Sequence, residues 1–180
     1  MKILKVLGIS IASIIFLVLV VAAMTKKGYS VERSAIIARN KADVFAYTKL
    51  LKNQDNFSVW AKMDPDMKKT YRGTDGTVGF VSAWESKKDD VGTGEQEIKK
   101  IEEGKRIDYE LRFLKPFEAT SPAYLAFDDA GDAQTKVSWG MSGKMSYPMN
   151  IMLLFMDMEK MIGKDFETGL ANLKNLLEKK

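Results

Sequence analysis

The chain has 180 residues, a formal net charge of +4, and neither a cysteine nor a histidine. Without cysteine there is no disulfide, no thiolate nucleophile and no Cys-ligated zinc, and without histidine there is no His-dependent triad, imidazole metal site or imidazole acid/base group. The charge is close to balanced and no basic patch is interleaved with aromatics, so no nucleic-acid partner is expected.

The N-terminal segment is the clearest signal. No residue from Val6 to Thr25 is charged, and Lys2, Lys5, Lys26 and Lys27 flank the run. About 20 apolar residues in a helix cross a hydrocarbon core of about 30 Å. The competing reading is a cleaved signal peptide, with Val21–Ala23 as its small-residue site. The apolar run is longer than the roughly 7–15 residues of a signal-peptide core. The expectation is therefore a single-pass membrane anchor over residues 1–27, followed by one domain over residues 28–180. Positive charge on both flanks leaves open which side of the membrane the domain occupies.

Tyr29–Ala38 is rich in Val, Ile and Tyr and reads as a strand. Asn40 then caps a helix in which Val44, Tyr47 and Thr48 share a face. Residues 53–60 read as a short helix or turn. Lys68–Gly73 is a strand, Thr74–Gly76 a hairpin turn, and Thr77–Glu85 a strand with Val78, Phe80, Ser82 and Trp84 on one side. Gly92–Ile101 is a more polar strand. Arg106–Leu114 alternates cleanly: Ile107, Tyr109, Leu111 and Phe113 face one way and Arg106, Asp108, Glu110 and Arg112 the other. That pattern marks an antiparallel strand with one dry side. Ala119–Asp128 and Thr135–Gly143 are two further strands, the second with Val137, Trp139 and Met141 on one face. From Pro148 the period becomes helical. Ile151, Phe155, Met158, Ile162, Phe166, Leu170, Leu173 and Leu177 form one stripe, interrupted by Gly163 and Gly169. One long C-terminal helix is thus expected to cover the dry faces of a meandering sheet, an α+β arrangement with a hollow between the two layers.

Two sharper motifs fail on inspection. Asp64, Asp66 and Asp75 suggest calcium, but a calcium loop starting at Asp64 needs an oxygen ligand and a glycine where Lys68 and Lys69 stand. Turns and a hairpin account for these aspartates better. Val91–Gln96 lacks the spacing of a dinucleotide loop and opens no helix, so it reads as a bend in a curved sheet. No metal and no cofactor is expected.

The combination of WAKMDPD (Trp60–Asp66), YRGTDGTVG (Tyr71–Gly79) and WE (Trp84–Glu85) resembles the START-like (SRPBCC) superfamily. Its members are the Bet v 1-like and polyketide-cyclase-like proteins of the helix-grip fold. VSWGMSG (Val137–Gly143), YPMNIM (Tyr147–Met152) and KMIGKDFETGLANLK (Lys160–Lys174) resemble the last strand and grip helix of its small bacterial members. The resemblance covers residues 31 to 180 and implies a curved sheet wrapped around the C-terminal helix. It does not specify the ligand, because the superfamily spans binders, transfer proteins and enzymes.

Seven of the eleven methionines lie between Met141 and Met161. Flexible and polarizable, they suit an irregular apolar pocket. The candidate lining is Met152, Phe155 and Met156 from the helix, facing Trp139, Met141, Tyr109, Phe113, Phe80 and Trp84 from the sheet, with Trp60 at the mouth or wall. Such a pocket predicts membrane-anchored binding of a hydrophobic or amphipathic, lipid-like molecule, with Tyr109 or a tryptophan N–H holding its polar end. One alternative is a polyketide cyclase/dehydratase-like enzyme, for which Tyr109 and Ser82 are the dry-face candidates, neither with a base. The other is a protein-interaction module.

Overall fold

The computed structural model describes residues 2–179. In chain order they form helix α1 (Lys2–Met24), strand β1 (Gly28–Ile37), helix α2 (Lys41–Lys49), a 3₁₀ helix (Leu51–Asn56) and short helix α3 (Val59–Met63). Strands β2 (Lys68–Arg72), β3 (Val81–Glu85), β4 (Thr93–Glu102), β5 (Arg106–Lys115), β6 (Ala119–Asp129) and β7 (Thr135–Lys144) follow. A second 3₁₀ helix (Met149–Leu154) and helix α4 (Met158–Glu178) complete the chain. The strands make one sheet in the order β1-β7-β6-β5-β4-β3-β2, antiparallel throughout. The sheet curves around α4, giving an α+β helix-grip fold.

The alternation on β5 sorts the two sides as the residue types dictate. Ile107 and Tyr109 are buried in the core with Ile98, Leu125, Phe127 and Val137. On the opposite face, Arg112 pairs with Glu95 and Glu97 at 2.7 Å each and with Glu110, and Arg72 also pairs with Glu95 at 2.7 Å. These guanidinium contacts hold the Glu95 and Glu97 carboxyls below their ordinary range, led by Arg72 for Glu95 and by Arg112 for Glu97. Helix α2 starts where Asn40 Oδ1 accepts from the Asp43 N–H at 2.9 Å. Its buried face is Val44, Phe45 and Thr48, with Tyr47 packed at the margin.

Helix α4 buries Phe166, Leu170 and Leu173 against the sheet. Its two glycines mark its closest approaches. A Cβ at Gly163 would strike the Arg33 guanidinium, and one at Gly169 would lie 2.7 Å from the Trp139 ring. Arg33 of β1 clasps the helix there, reaching Glu167 at 2.5 Å and Glu159 at 2.7 Å.

Two expected elements are corrected. The helix does not run unbroken from Pro148. A 3₁₀ turn ends at Leu154, and α4 begins anew after Asp157, whose side chain accepts from the Lys160 N–H at 2.9 Å. Phe155 therefore lies outside the packed stripe and is exposed. The strand expected from Thr77 begins only at Val81, because Gly76 and Gly79 hold positive φ and turn Thr77 and Val78 away from β4, to which the Gly79 N–H returns at the Ile98 carbonyl, 2.8 Å away.

Helix α1 is long and apolar enough to cross a membrane, and only Ala22 in it is buried. Its C-terminal end is held by the second 3₁₀ helix. Asn150, fully buried, donates from Nδ2 to the Ala22 carbonyl at 2.7 Å and the Thr25 carbonyl at 2.9 Å.

Candidate functional site

A hollow opens where the inward side chains become small. Along β6, Leu125 and Phe127 fill the core at one end, and Ala119, Ser121 and Ala123 occupy the inward positions at the other. Their partners across β5 are Phe113, Leu111 and Tyr109. On β4, Gly94 has no side chain, and the indole of its partner Trp84 lies over it, 2.6 Å from where a Cβ would stand. The resulting cavity has a volume of about 370 Å³, within the roughly 300–1,000 Å³ of small-molecule sites.

Its walls come from every layer of the fold. Trp139 and Met141 of β7, Leu111 and Phe113 of β5, and Ser82 and Trp84 of β3 form the sheet side. Met158, Ile162 and Phe166 form the α4 side, and Leu51, Trp60 and Ala61 close one end. All three tryptophans of the chain face this space. Trp139 stacks on Phe166 at 4.7 Å and meets Phe57 and Trp60 edge-on at 5.7 and 6.2 Å, while Trp84 meets Phe113 edge-on at 6.2 Å.

The lining also carries charge, from Asp55 and Lys69 and from Asp89, Asp90 and Lys115. Lys69 and Asp55 form an ion pair in the wall, and the Tyr71 hydroxyl donates to Asp55 at 3.3 Å. Burial, and then the Asp55 charge, push the Tyr71 phenol above its ordinary pKa. The Trp84 N–H is committed to the Val91 carbonyl at 3.2 Å, pinning the 86–92 turn. A second hollow, about 760 Å³, lies between the end of α1 and residues 153–159, and it shares Tyr29 and Met158 with the first.

Residues 29–178 match the family model described as "Polyketide cyclase / dehydrase and lipid transport". The chain belongs to this family. No curated protein matches it in sequence. Among solved structures, this family member is similar to CalU16 from Micromonospora echinospora, at 12% identity and TM-score 0.56, covering 84% of this chain and 77% of that one. It is also similar to the Aha1 dimer from Colwellia psychrerythraea, at 12% identity and TM-score 0.57, with 83% and 96% covered. A third likeness is to BexL, a di-domain ARO/CYC protein from the BE-7585A biosynthetic pathway, at 15% identity and TM-score 0.58, with 85% and 51% covered. At these identities the likeness concerns the fold.

Of the side chains expected around a pocket in this family member, Trp60, Trp84, Phe113, Trp139 and Met141 line the cavity. Five are placed elsewhere. Phe80 is buried beside it, stacked on Tyr71 at 6.1 Å. Tyr109 lies in the core, its hydroxyl without a hydrogen-bond partner and its pKa driven up by burial. Met152 lies in the second 3₁₀ helix, and Phe155 and Met156 line the second hollow, because the chain breaks before α4 begins. The residues that take their place, Met158, Ile162 and Phe166, sit on the same stripe one to two turns later. Tyr29, Leu111 and the Lys69–Asp55 pair were not anticipated. Tyr29 had a signal in the sequence: it pairs with Gly143, and its ring occupies the space a side chain there would need.

The aspartates of the turns serve the fold. Asp75 accepts from the Leu51 N–H at 2.7 Å and the Lys52 N–H at 3.2 Å, capping the first 3₁₀ helix. Asp64 accepts from the Asp66 N–H at 3.2 Å and from the Ser86 hydroxyl. Among the described residues, no group of three or more His, Cys, Asp or Glu side chains is placed to hold a metal ion.

Proposed function

We propose that the protein binds a hydrophobic or amphipathic, lipid-like small molecule in the cavity between sheet and α4. In this reading residues 1–27 anchor the domain of residues 28–180 at a membrane as a single pass. The observation that carries the reading is an apolar cavity onto which all three tryptophans converge, in a family described in part by lipid transport. Apolar surface removed from water stabilises by about 25 cal/mol per Å². A ligand burying about 300 Å² would thus gain about 7.5 kcal/mol before the costs of association, with no charged anchor required. The Lys69–Asp55 pair offers a polar end for a carboxyl or hydroxyl. An anchor is favoured over a core helix because α1 is almost wholly exposed.

The same geometry favours binding over turnover. General acid/base catalysis needs a titratable group within hydrogen-bond reach of the substrate. Tyr109 does not line the cavity, Ser82 stands opposite Tyr71 and Gln96, the wall carboxylate Asp55 is already paired with Lys69, and the two further lining carboxylates, Asp89 and Asp90, are exposed on the 86–92 turn.

The test is a titration of the full chain with cis-parinaric acid, read by energy transfer from the tryptophans. Saturable transfer is expected, and Ala123→Leu, which fills the cavity from β6, should abolish it while the domain stays folded. Absence of saturable transfer in the unmutated chain refutes the reading. Resistance of the chain to carbonate extraction checks the anchor, and a mature N-terminus near Met24 would show a cleaved signal instead.

A further inference from the structure

The segment that holds α1 is itself unusually apolar and open. Around buried Asn150, the side chains of Met149, Leu154 and Phe155 are 58%, 57% and 81% exposed. Left in water, these side chains forgo about 25 cal/mol for every Å² of apolar surface that burial would remove. Elsewhere in the domain Phe57, Phe80 and Phe166 are buried at the centre, and Phe117, after β5, is the domain's other phenylalanine left largely exposed among the described residues.

The position of the segment supplies a different solvent. Asn150 donates to the Ala22 carbonyl, which the Thr25 N–H also reaches at 3.2 Å, and to the Thr25 carbonyl just past the end of α1. The Met145 N–H adds a backbone bond to the Lys27 carbonyl at 2.8 Å. The exposed side chains are therefore held at the level where the apolar run of α1 ends and Lys26 and Lys27 begin. If α1 spans a bilayer, that level is the boundary between acyl chains and head groups, where apolar side chains insert and lysines meet lipid phosphates. The second hollow lies at the same level. Val21 and Met24 of α1 form one wall, Leu154 and Phe155 the other, and Tyr29 and Met158 join it to the cavity.

We propose that residues 147–156, fastened to the end of α1 by Asn150, form a lip inserted into the phospholipid bilayer, and that an acyl chain passes along it into the cavity by way of Tyr29 and Met158. This rests on the reading that α1 spans and the cavity holds a lipid. The lip shortens the route an acyl chain would travel through water. It also accounts for the methionines gathered here, since flexible thioethers accommodate a sliding chain.

The absence of cysteine makes single labelling sites simple to create. Full chains carrying Phe155→Cys, Ser13→Cys or Val78→Cys, each labelled with an environment-sensitive fluorophore, are reconstituted into phosphatidylcholine/phosphatidylglycerol vesicles. The vesicles contain lipid spin-labelled at a shallow or a deep acyl carbon. The label at 155 should be quenched by the shallow probe, the label at 13 by the deep probe, and the label at 78, in the β2–β3 turn, by neither. Quenching at 13 with none at 155 overturns the lip while the anchor survives. A label at 155 that is shielded from water yet unquenched overturns it in favour of a protein partner. No quenching at either position removes the anchor and the lip together.

The passage is tested by uptake of cis-parinaric acid from the same vesicles. Leu154→Ser with Phe155→Ser should slow uptake several-fold and leave the final capacity unchanged. An unchanged rate overturns the passage even where the lip is inserted. Loss of capacity in the unmutated chain instead overturns the cavity reading on which the passage depends.

Discussion

The two glycines of α4 provide a paired test of how the helix meets the sheet. Gly163→Ala and Gly169→Ala each bring the same local gain, about 1 kcal/mol of helix propensity. What each new methyl meets is different. At position 163 it meets the tip of Arg33, a flexible side chain that can swing aside. At position 169 it would stand 2.7 Å from Trp139, a ring held by Phe166, Phe57 and Trp60. Overpacking against a held side chain costs roughly 1–3 kcal/mol. Gly163→Ala should therefore be neutral to stabilising by up to about 1 kcal/mol, and Gly169→Ala destabilising by about 0–2 kcal/mol. The gap between the two, about 1–3 kcal/mol, corresponds to several degrees in Tm at roughly 2–4 °C per kcal/mol for a chain of this size. Urea and thermal denaturation of both variants read it directly. The open side of Trp139 faces the cavity, so any relief of strain should appear as shifted tryptophan emission and reduced cis-parinaric acid capacity. Equal stabilisation by both substitutions, with unchanged emission and capacity, would refute the packing argument.

Tyr109→Phe should stabilise by about 1 kcal/mol, because a buried hydroxyl without a partner costs about 1–3 kcal/mol. Burial raises the folded-state pKa of Tyr109, so its contribution is fully present below the unfolded value of about 10 and is lost as pH rises beyond it. The variant should lose stability less steeply than the parent above about pH 10 in denaturant titrations. Arg112→Met acts at the other end of the scale. Glu95 and Glu97 are depressed in the fold, so they contribute above the unfolded value of about 4.3 and lose that contribution as pH falls through their folded values. Removing Arg112 should move the acid unfolding midpoint to higher pH, as followed by circular dichroism. Asp75→Ala removes the acceptor for Leu51 and Lys52 and should cost about 1 kcal/mol in urea midpoints.

The sheet was legible because β5 alternates with period two and because β6 and β7 are bounded by turn residues. The grip helix was legible from its stripe, but its start was not. Ile151, Phe155 and Met158 stay in phase with Ile162, and periodicity alone is blind to a break that preserves phase. The N-cap carried the signal: Asp157 followed by Glu159 is a helix start, and it places Phe155 outside. The cavity was half legible for a related reason. Aromatic residues mark the faces that turn inward, yet a hollow is made by what is missing, and the small side chains Ala119 and Ala123 of β6 mark where it lies. Tyr109 shows the complement, an aromatic on the dry face whose neighbours Leu125 and Ile98 already fill the space.

The sheet order sets a timetable for the newborn chain. β1 is the first strand made, and among the described residues its one partner in the sheet is β7, with Gly28 opposite Lys144 and Ile37 opposite Thr135. At about 5–20 residues per second, that partner leaves the ribosome roughly 5–20 s after β1 does. Pairing across so much chain is also slow in itself, because loop closure must precede any reward from contact. For that interval β1 waits with both edges open, a condition that invites association with other strands. If α1 has already entered the bilayer, the wait takes place at the membrane surface, where a chain stopped before β7 would keep β1 unpaired indefinitely. Maturation is thereby tied to completion of synthesis, and truncated products should be conspicuous to the proteases and chaperones that patrol the membrane.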